Sequence, residues 1–456
     1  MGDKLLSVGL DVGTTTSQMI VSELMVENRA SSFAVPEMDI TQRKVIYRGD
    51  VIFTPLLAEN RVDAQALGRW VLEEFQRAGI AREMVDTGAV IITGETSRRE
   101  NAHAVMEALA ELAGDFVVAT AGPDLESILS ARGAGAVAYS EKTGSRVLHM
   151  DIGGGTSNLT LITDGKIVAT GCLNVGGRLL KIEKGISTYV SPVLEDLTSL
   201  RPGQSADLQE LERLADLLAQ VLEMAAGLRE PSGLLTRLST REAEAPWIPP
   251  EGACVISFSG GVADCIRNPQ EPFVYGDIGP MLGKAIGKSR LCQGPFLLGQ
   301  ETIRATVIGA GCHSAQLSGS TVFSQNVTFP LKNLPVLTVD IQEMDTLRER
   351  ARQQDVMPVL AVTGTLGSGY AAVTELARKI AENLWEGPVY LCVEQDMAKA
   401  LGQSLALRLE RSRQILCLDR IRLSMGSYLD VGSPVGPALP VVVKTLVLER
   451  QNTVCH

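Results

Sequence analysis

Two stretches of the 456-residue chain carry the same chemical groups in the same order. Asp11-Val-Gly-Thr-Thr-Thr-Ser-Gln18 lays over Asp151-Ile-Gly-Gly-Gly-Thr-Ser-Asn158, with Asp, Gly, Thr and Ser coincident and Val/Ile and Gln/Asn near-equivalent. Gly13 and Gly153, Gly154 and Gly155 let backbone N–H groups approach an anion where a Cβ would stand in the way. Thr14, Thr15, Thr16 and Thr156 add hydroxyl donors, and Asp11 and Asp151 are carboxylates able to hold the water shell of a divalent cation. The set suits a polyphosphate and its hydrated cation, gripped between two turns. One D-x-G-T run alone is common in ordinary turns; the plain alternative for the pair is a duplicated hairpin whose Asp caps its own turn.

Each copy follows an apolar run (Leu5 to Leu10; Val147 to Met150) and precedes another (Met19 to Val21; Leu159 to Ile162), the pattern of strand, tight turn, strand. Two similar lobes follow. Short apolar strands alternate with helical stretches, such as Ala89 to Ile92 before a helix near Arg99 to Leu112 and Asp115 to Ala119 before another, which is α/β layering. Leu208, Leu211, Leu214, Leu218, Leu222 and Ala225 recur at steps of three or four and predict one packing helix over 207–229. Residues 231–250, rich in Pro, Ser, Thr and Glu, read as a surface connection rather than a strand or helix. A third segment begins near Ser320, has a strand-like Val336 to Ile341, and ends on Leu439 to Leu448. The expected division is a first lobe over 1–145, a second over 146–319 and a C-terminal α/β segment over 320–456.

Hydrophobic residues at 45% and charged ones at 21% describe an ordinary folded protein. The 42 Lys and Arg against 53 Asp and Glu leave a charge of -11, which does not draw nucleic acid or anionic lipid. Eight cysteines with no C-x-x-C pair suggest neither zinc nor a disulfide framework and fit a reducing cytoplasm. No signal-peptide pattern opens the chain and no apolar run reaches the roughly 20 residues of a membrane span.

A third motif, Ser257-Phe-Ser-Gly-Gly-Val-Ala263, follows the two hairpins. With it the sequence resembles the actin, sugar-kinase and Hsp70 superfamily in the order of five motifs. These are Leu10 to Gln18, a connecting helix at Arg132 to Tyr139, Met150 to Asn158, the Gly-Gly at Phe258 to Ala263, and a second connecting helix at Ala305 to His313. The resemblance implies two RNase H-like lobes with ATP in the cleft, Gly260 and Gly261 against adenosine, and Mg²⁺ held through water by Asp11 and Asp151. A long side chain at Gly260 is expected to fill the adenosine space and leave the fold intact. Relatives with brisk hydrolysis carry a water-positioning acid where the closest register here offers Ala131; Asp124 and Glu126 lie earlier, as alternatives or as ordinary first-turn helix acids. Slow, Mg-dependent turnover is the expectation.

At finer grain the whole chain resembles the reactivating-factor family of ethanolamine ammonia-lyase. The resemblance rests on Thr93 to Asn101, Ala121 to Ser130, Leu173-Asn-Val-Gly-Gly-Arg178, Tyr275-Gly-Asp-Ile-Gly279, Leu429 to Pro434 and Val441 to Thr445. It implies a molecular chaperone that uses ATP to free the lyase of damaged or adenine-lacking cobalamin. It further implies a cytoplasmic setting linked to an ethanolamine-utilisation microcompartment, and leaves homo-oligomerisation open. Rival readings are a small-molecule kinase of the same superfamily and a nucleotide-gated scaffold without hydrolysis. His149 and His313 read as packing residues, Val359 to Tyr370 as a tight strand-to-helix turn lacking the Lys of a P-loop, and Arg98 and Arg99 as solvated.

Overall fold

In the computed structural model of the chain, the described residues are 3–13, 16–28, 38–58, 61–93, 105, 109, 117–120, 123–240, 247–299, 301–313, 315–317, 322–340, 357–363, 369–419, 421, 423, 427–432, 434 and 439–445. Thr14, Thr15, Arg98, Arg99, most of the helix expected near 99–112 and most of the Gly-rich turn before Tyr370 lie outside them.

The first lobe is built on β1 (Asp3–Val12), β2 (Thr16–Asn28), β3 (Met38–Arg48) and β4 (Ile52–Phe53), followed by a small β5 (Leu56–Ala58) and β6 (Arg61–Val62) pair. Then come α1 (Ala64–Ala78), β7 (Thr87–Ile92), β8 (Val117–Thr120), α2 (Pro123–Gly133) and α3 (Ala136–Thr143). Its sheet runs β3-β2-β1-β7-β8, with β1 antiparallel to β2 and parallel to β7. Every residue of β7 is buried, as a central strand covered on both faces requires. Asp63 caps α1 by accepting from the Ala66 N–H, and Gly79 closes it in the left-handed conformation. Leu67, Trp70, Val71 and Phe75 of that helix pack on Val8, Leu10 and Val12.

The second lobe repeats the plan with β9 (Val147–Ile152), β10 (Ser157–Thr163), β11 (Lys166–Leu173), β12 (Leu180–Glu183), β13 (Ile186–Val190), α4 (Leu208–Ala225), α5 (Gly233–Leu238), β14 (Val255–Ser259), α6 (Asp264–Arg267), α7 (Gly279–Lys288) and β15 (Phe296–Leu298). Its sheet order, β11-β10-β9-β14-β15, copies the first in position and in strand sense. The expected duplication of an α/β lobe is therefore present in the topology. The leucine stripe of α4 is buried against β9 and β10 apart from Leu208, which is exposed at the helix start. Residues 231–250 depart from the surface-connection reading. Ser232 caps a short helix, α5, whose Leu235 and Leu238 are buried, and Trp247 Nε1 donates to the Ala225 carbonyl at 2.9 Å. Polar composition hid these anchors.

The lobes meet through α2 and α8 (Ala305–His313). The two helices cross with backbone against backbone: a Cβ on Gly133 would strike the Ala305 carbonyl, and one on Gly309 the Leu129 carbonyl. Although it follows the second lobe in sequence, α8 lies on the first sheet, where a Cβ on Gly9 would meet Val307 O at 2.5 Å and Ser7 Oγ donates to Gly311 O at 2.5 Å.

The rest of the chain forms an eight-stranded sheet from β16 (Ala315–Leu317), β17 (Phe323–Gln325), β18 (Leu331–Asp340), β19 (Val359–Thr363), β20 (Val389–Val393), β21 (Ile415–Asp419), β22 (Ser427–Val431) and β23 (Pro440–Thr445). Their order is β16-β23-β22-β18-β19-β20-β21-β17. β18 to β21 run parallel, with α9 (Tyr370–Asn383) and α10 (Ala398–Ala406) packed on one face. β16 belongs to this sheet although it lies before the boundary expected at 320, because its pairing partner is the distant β23. Among the described residues no helix is long and apolar enough to cross a membrane.

Candidate functional site

The two hairpin turns are closed in the same way. Gly13 N–H donates to Thr16 O and Gly153 N–H to Thr156 O, both at 2.9 Å. Asp11 stands directly across from Gln18 and Asp151 from Asn158, so each turn presents a carboxyl and a carboxamide side by side at its base. Thr54 holds the first turn from outside, its hydroxyl donating to Gly13 O at 2.7 Å and lying 3.0 Å from Ser17 Oγ. A Cβ on Gly155 would meet no atom within 4 Å, so that turn opens toward the gap.

Asp11 and Asp151 are both buried. Thr93 Oγ1 donates to Asp11 Oδ1 at 3.0 Å, but burial outweighs that bond and, with the nearby charge of Asp151, pushes the Asp11 pKa up to about 7. Burial likewise lifts Asp151 to about 6 against hydrogen bonds from Ser259 (2.5 Å) and Thr306 (3.5 Å). Ser259 heads a directed chain. Having donated to Asp151, its oxygen accepts from His149 Nε2 at 2.9 Å, which leaves Nδ1 to accept from Ser257 Oγ at 3.0 Å. Burial pushes the His149 pKa down to about 3, so the ring is neutral and can hold this tautomer. The histidine is thus a hydrogen-bonded core residue, and it also orients a site carboxyl.

Glu126 enters from the first turn of α2. It is partly exposed, yet burial first, then the charges of Asp11 and Asp151, push its pKa well above the carboxylate range, while a bond from Asn158 opposes. Three carboxyl groups from three elements therefore converge. Asp124, two residues earlier, points away and accepts from Thr170 Oγ1 at 2.5 Å, and Ala131 is buried. Of the two acids the sequence offered, the cleft receives Glu126. Gln18 Oε1 and Asn158 Oδ1 are buried with no hydrogen-bond partner among the described residues, which leaves acceptor capacity beside the carboxyls. The donor set is all oxygen, the preference of Mg²⁺. No group of three or more His, Cys, Asp or Glu with metal-holding geometry occurs among the described residues, and a cation held through water by two carboxylates needs none.

On the other side of the cleft, β14 runs into Gly260 and Gly261. Gly260 N–H donates to Thr302 O at 2.9 Å, and Thr302 Oγ1 donates to Asp264. The two glycines differ. Gly260 has φ +86° and a Cβ there would strike the Ile152 carbonyl, whereas the nearest atom to a Cβ on Gly261 is Ile303 Cδ1 at 4.0 Å. The expectation that a long side chain at Gly260 leaves the fold intact is corrected: Gly261 is the residue with open space before it. Thr93, Ser259, Thr306 and Thr54 were missed by sequence reading. Ser257 and Ser259 alternate along β14 and pair with His149 and Asp151 of β9, a period-two signal that could have exposed two of the contacts.

The sequence profile of the ethanolamine utilisation protein EutA matches residues 3–449. The chain belongs to the EutA family. It is 40% identical over 468 residues, 97% of this chain and 98% of the other, to the protein named ethanolamine ammonia-lyase reactivase EutA in Salmonella typhimurium strain LT2. It is 37% identical over 474 residues, with the same coverage, to the protein of that name in Escherichia coli strain K12. Among solved structures, the PPX-GPPA enzyme of Aquifex aeolicus is 13% identical with a TM-score of 0.40, covering 67% of this EutA-family chain and 99% of that one. EutJ of Carboxydothermus hydrogenoformans is 15% identical with a TM-score of 0.35, covering 67% and 89%.

Proposed function

We propose that this EutA-family chain is an ATP-dependent molecular chaperone that reactivates ethanolamine ammonia-lyase, expelling damaged or adenine-lacking cobalamin so that intact adenosylcobalamin can bind. The observation that carries the reading is the convergence of Asp11, Asp151 and Glu126 between two identically closed Gly turns. That site sits in a chain alignable along 97% of its length with proteins named as the lyase's reactivase.

The phosphates of ATP would be gripped by the backbone N–H groups and hydroxyls of the Gly13–Thr16 and Gly153–Thr156 turns, with adenosine beside Gly261. Mg²⁺, held through water by Asp11 and Asp151, would supply neutralising charge to the phosphate oxygens. Ser259 and Thr93 hold those two carboxyls in place. Glu126 would orient a water at the terminal phosphate and take its proton, a role matched to its raised proton affinity. This acid weighs against a scaffold without hydrolysis, a reading that rested on Ala131. The α2–α8 crossing joins the lobes, and a pivot there would change how far they close. A nucleotide state that prefers one closure then shifts the affinity for the lyase. The setting we propose is cytoplasmic, beside an ethanolamine-utilisation microcompartment.

The test mixes the protein with cyanocobalamin-blocked lyase, ATP, Mg²⁺ and fresh adenosylcobalamin. Recovery of deaminase activity that needs ATP is expected; no recovery would overturn the reading. Transfer of label from ATP to ethanolamine would establish the rival kinase instead.

A further inference from the structure

Arg178 hangs from the second hairpin. It follows Gly176-Gly177, and its N–H donates to Gly154 O at 2.6 Å while the Gly177 N–H donates to Gly153 O at 3.1 Å. The two glycines make this approach: a Cβ on Gly176 would strike Gly154 O, and one on Gly177 would meet Gly279 Cα at 2.8 Å. From that anchor the side chain reaches the other lobe, where its guanidinium carbon stands 5.8 Å from the ring centroid of Phe53. Phe53 is fastened to the first hairpin in turn. It pairs with Thr16, and its neighbour Thr54 donates to Gly13 O. A single cation–ring contact therefore spans the gap between the two turns, each end tied to one of them.

This contact is not core packing, since Phe53 is 73% exposed. Nor is every donor of the guanidinium used: Arg178 Nε is buried without a hydrogen-bond partner among the described residues. Its charge reaches Asp277, one oxygen of which accepts from the Gly279 N–H at 2.8 Å. A guanidinium with an unused donor, poised over an exposed ring beside a Gly-rich turn, has capacity for an oxyanion besides Asp277. A phosphate oxygen supplies one, and a charge-assisted bond to phosphate outweighs an exposed cation–ring contact.

We infer that Arg178 is a specificity-determining residue that binds the terminal phosphate of a nucleoside triphosphate, with Phe53 holding its guanidinium at the cleft mouth until that phosphate arrives. The inference rests on the nucleotide reading above and deepens it: the chain would tell tri- from diphosphate through a side chain fixed to the second turn and read against the first.

Calorimetric titration of the full chain with a non-hydrolysable ATP analogue and with ADP, each with Mg²⁺, tests it. Arg178→Gln is expected to weaken the triphosphate about tenfold or more and ADP by less than about twofold, a tenfold change being a modest loss of one charged contact. Arg178→Lys keeps the charge and loses the fork, so it should fall between, and it serves if the glutamine variant is unstable. An unchanged ratio of the two affinities in both variants would overturn the assignment, as would equal weakening of both ligands. If the wild-type protein binds neither nucleotide, the nucleotide reading fails in the same experiment and takes the assignment with it; a wild type that binds both isolates the failure to Arg178.

Discussion

The space that a Cβ on Gly309 would need is filled by the main-chain carbonyl of Leu129. One turn away along the crossing, Gly133 faces the Ala305 carbonyl in the same manner. Gly309→Ala should therefore force α2 and α8 apart, costing about 2–3 kcal/mol or more as overpacking against backbone does. Urea unfolding measures the loss, and a variant as stable as the wild type would show that the crossing has slack.

Gly260 and Gly261 should separate under substitution. Gly260→Ala meets both a left-handed φ and the Ile152 carbonyl, and is expected to lower stability by about 2 kcal/mol or more. Gly261→Arg should leave the melting temperature unchanged and weaken ATP about tenfold or more. Full ATP affinity in a folded Gly261→Arg protein would take this turn out of the site.

Glu126→Gln keeps the shape of the side chain and removes its ability to take a proton. We expect ATP turnover to fall about 100-fold or more while ATP affinity stays within about threefold. Phosphate release and calorimetry on the same preparation give both numbers. Retained turnover would mean that the acid only lines the cleft.

The nucleotide-free protein should lose stability as pH rises. Asp11, with a folded pKa of about 7, and Asp151, at about 6, bind protons more tightly folded than unfolded. Their contribution is thus complete below the unfolded carboxylate range near pH 4 and disappears as pH climbs through 6 and 7. Asp11→Asn should gain on the wild type across that window, by about 1.4 kcal/mol per unit of displaced pKa. Denaturant midpoints at pH 5 and pH 8 decide it; a constant gap would show that Asp11 titrates as an exposed acid. ATP with Mg²⁺ should bind more tightly over the same rise, because both carboxyls ionise.

His149→Phe should cost about 2 kcal/mol or more, since Ser257 and Ser259 would each lose a buried partner. Thermal melts check this. A neutral substitution would mean that Ser257 finds another acceptor and Ser259 another donor.

The paired hairpins were legible in sequence because their chemistry is local: carboxyl, glycine and hydroxyl all lie within eight residues, and the repeat sets one copy against the other. Other parts of the site depend on distances that the chain order does not contain. Whether Glu126, Asp124 or the position of Ala131 looks into the cleft follows from how α2 is rotated by its crossing with α8, more than 170 residues later in the sequence. The Ser257–His149–Ser259 chain needs β14 beside β9 in a fixed register. The contrast between Gly260 and Gly261 is one of backbone angle, invisible in two identical letters. α5 was concealed by prolines and acids around a helix with only two buried leucines.

The second of the crossing helices, α8, ends at His313, and β16 begins at Ala315. A single residue separates the two elements in the sequence. β16 is also locked by pairing to β23, the last described strand of the chain, so the eight-stranded sheet is gripped at that margin by both its entry and its exit. Were α8 to turn by a few degrees, the far margin near β17 would sweep through a distance set by the width of eight strands spaced about 4.8 Å apart. A shift that is small at the crossing glycines would then be large at the opposite edge of the sheet.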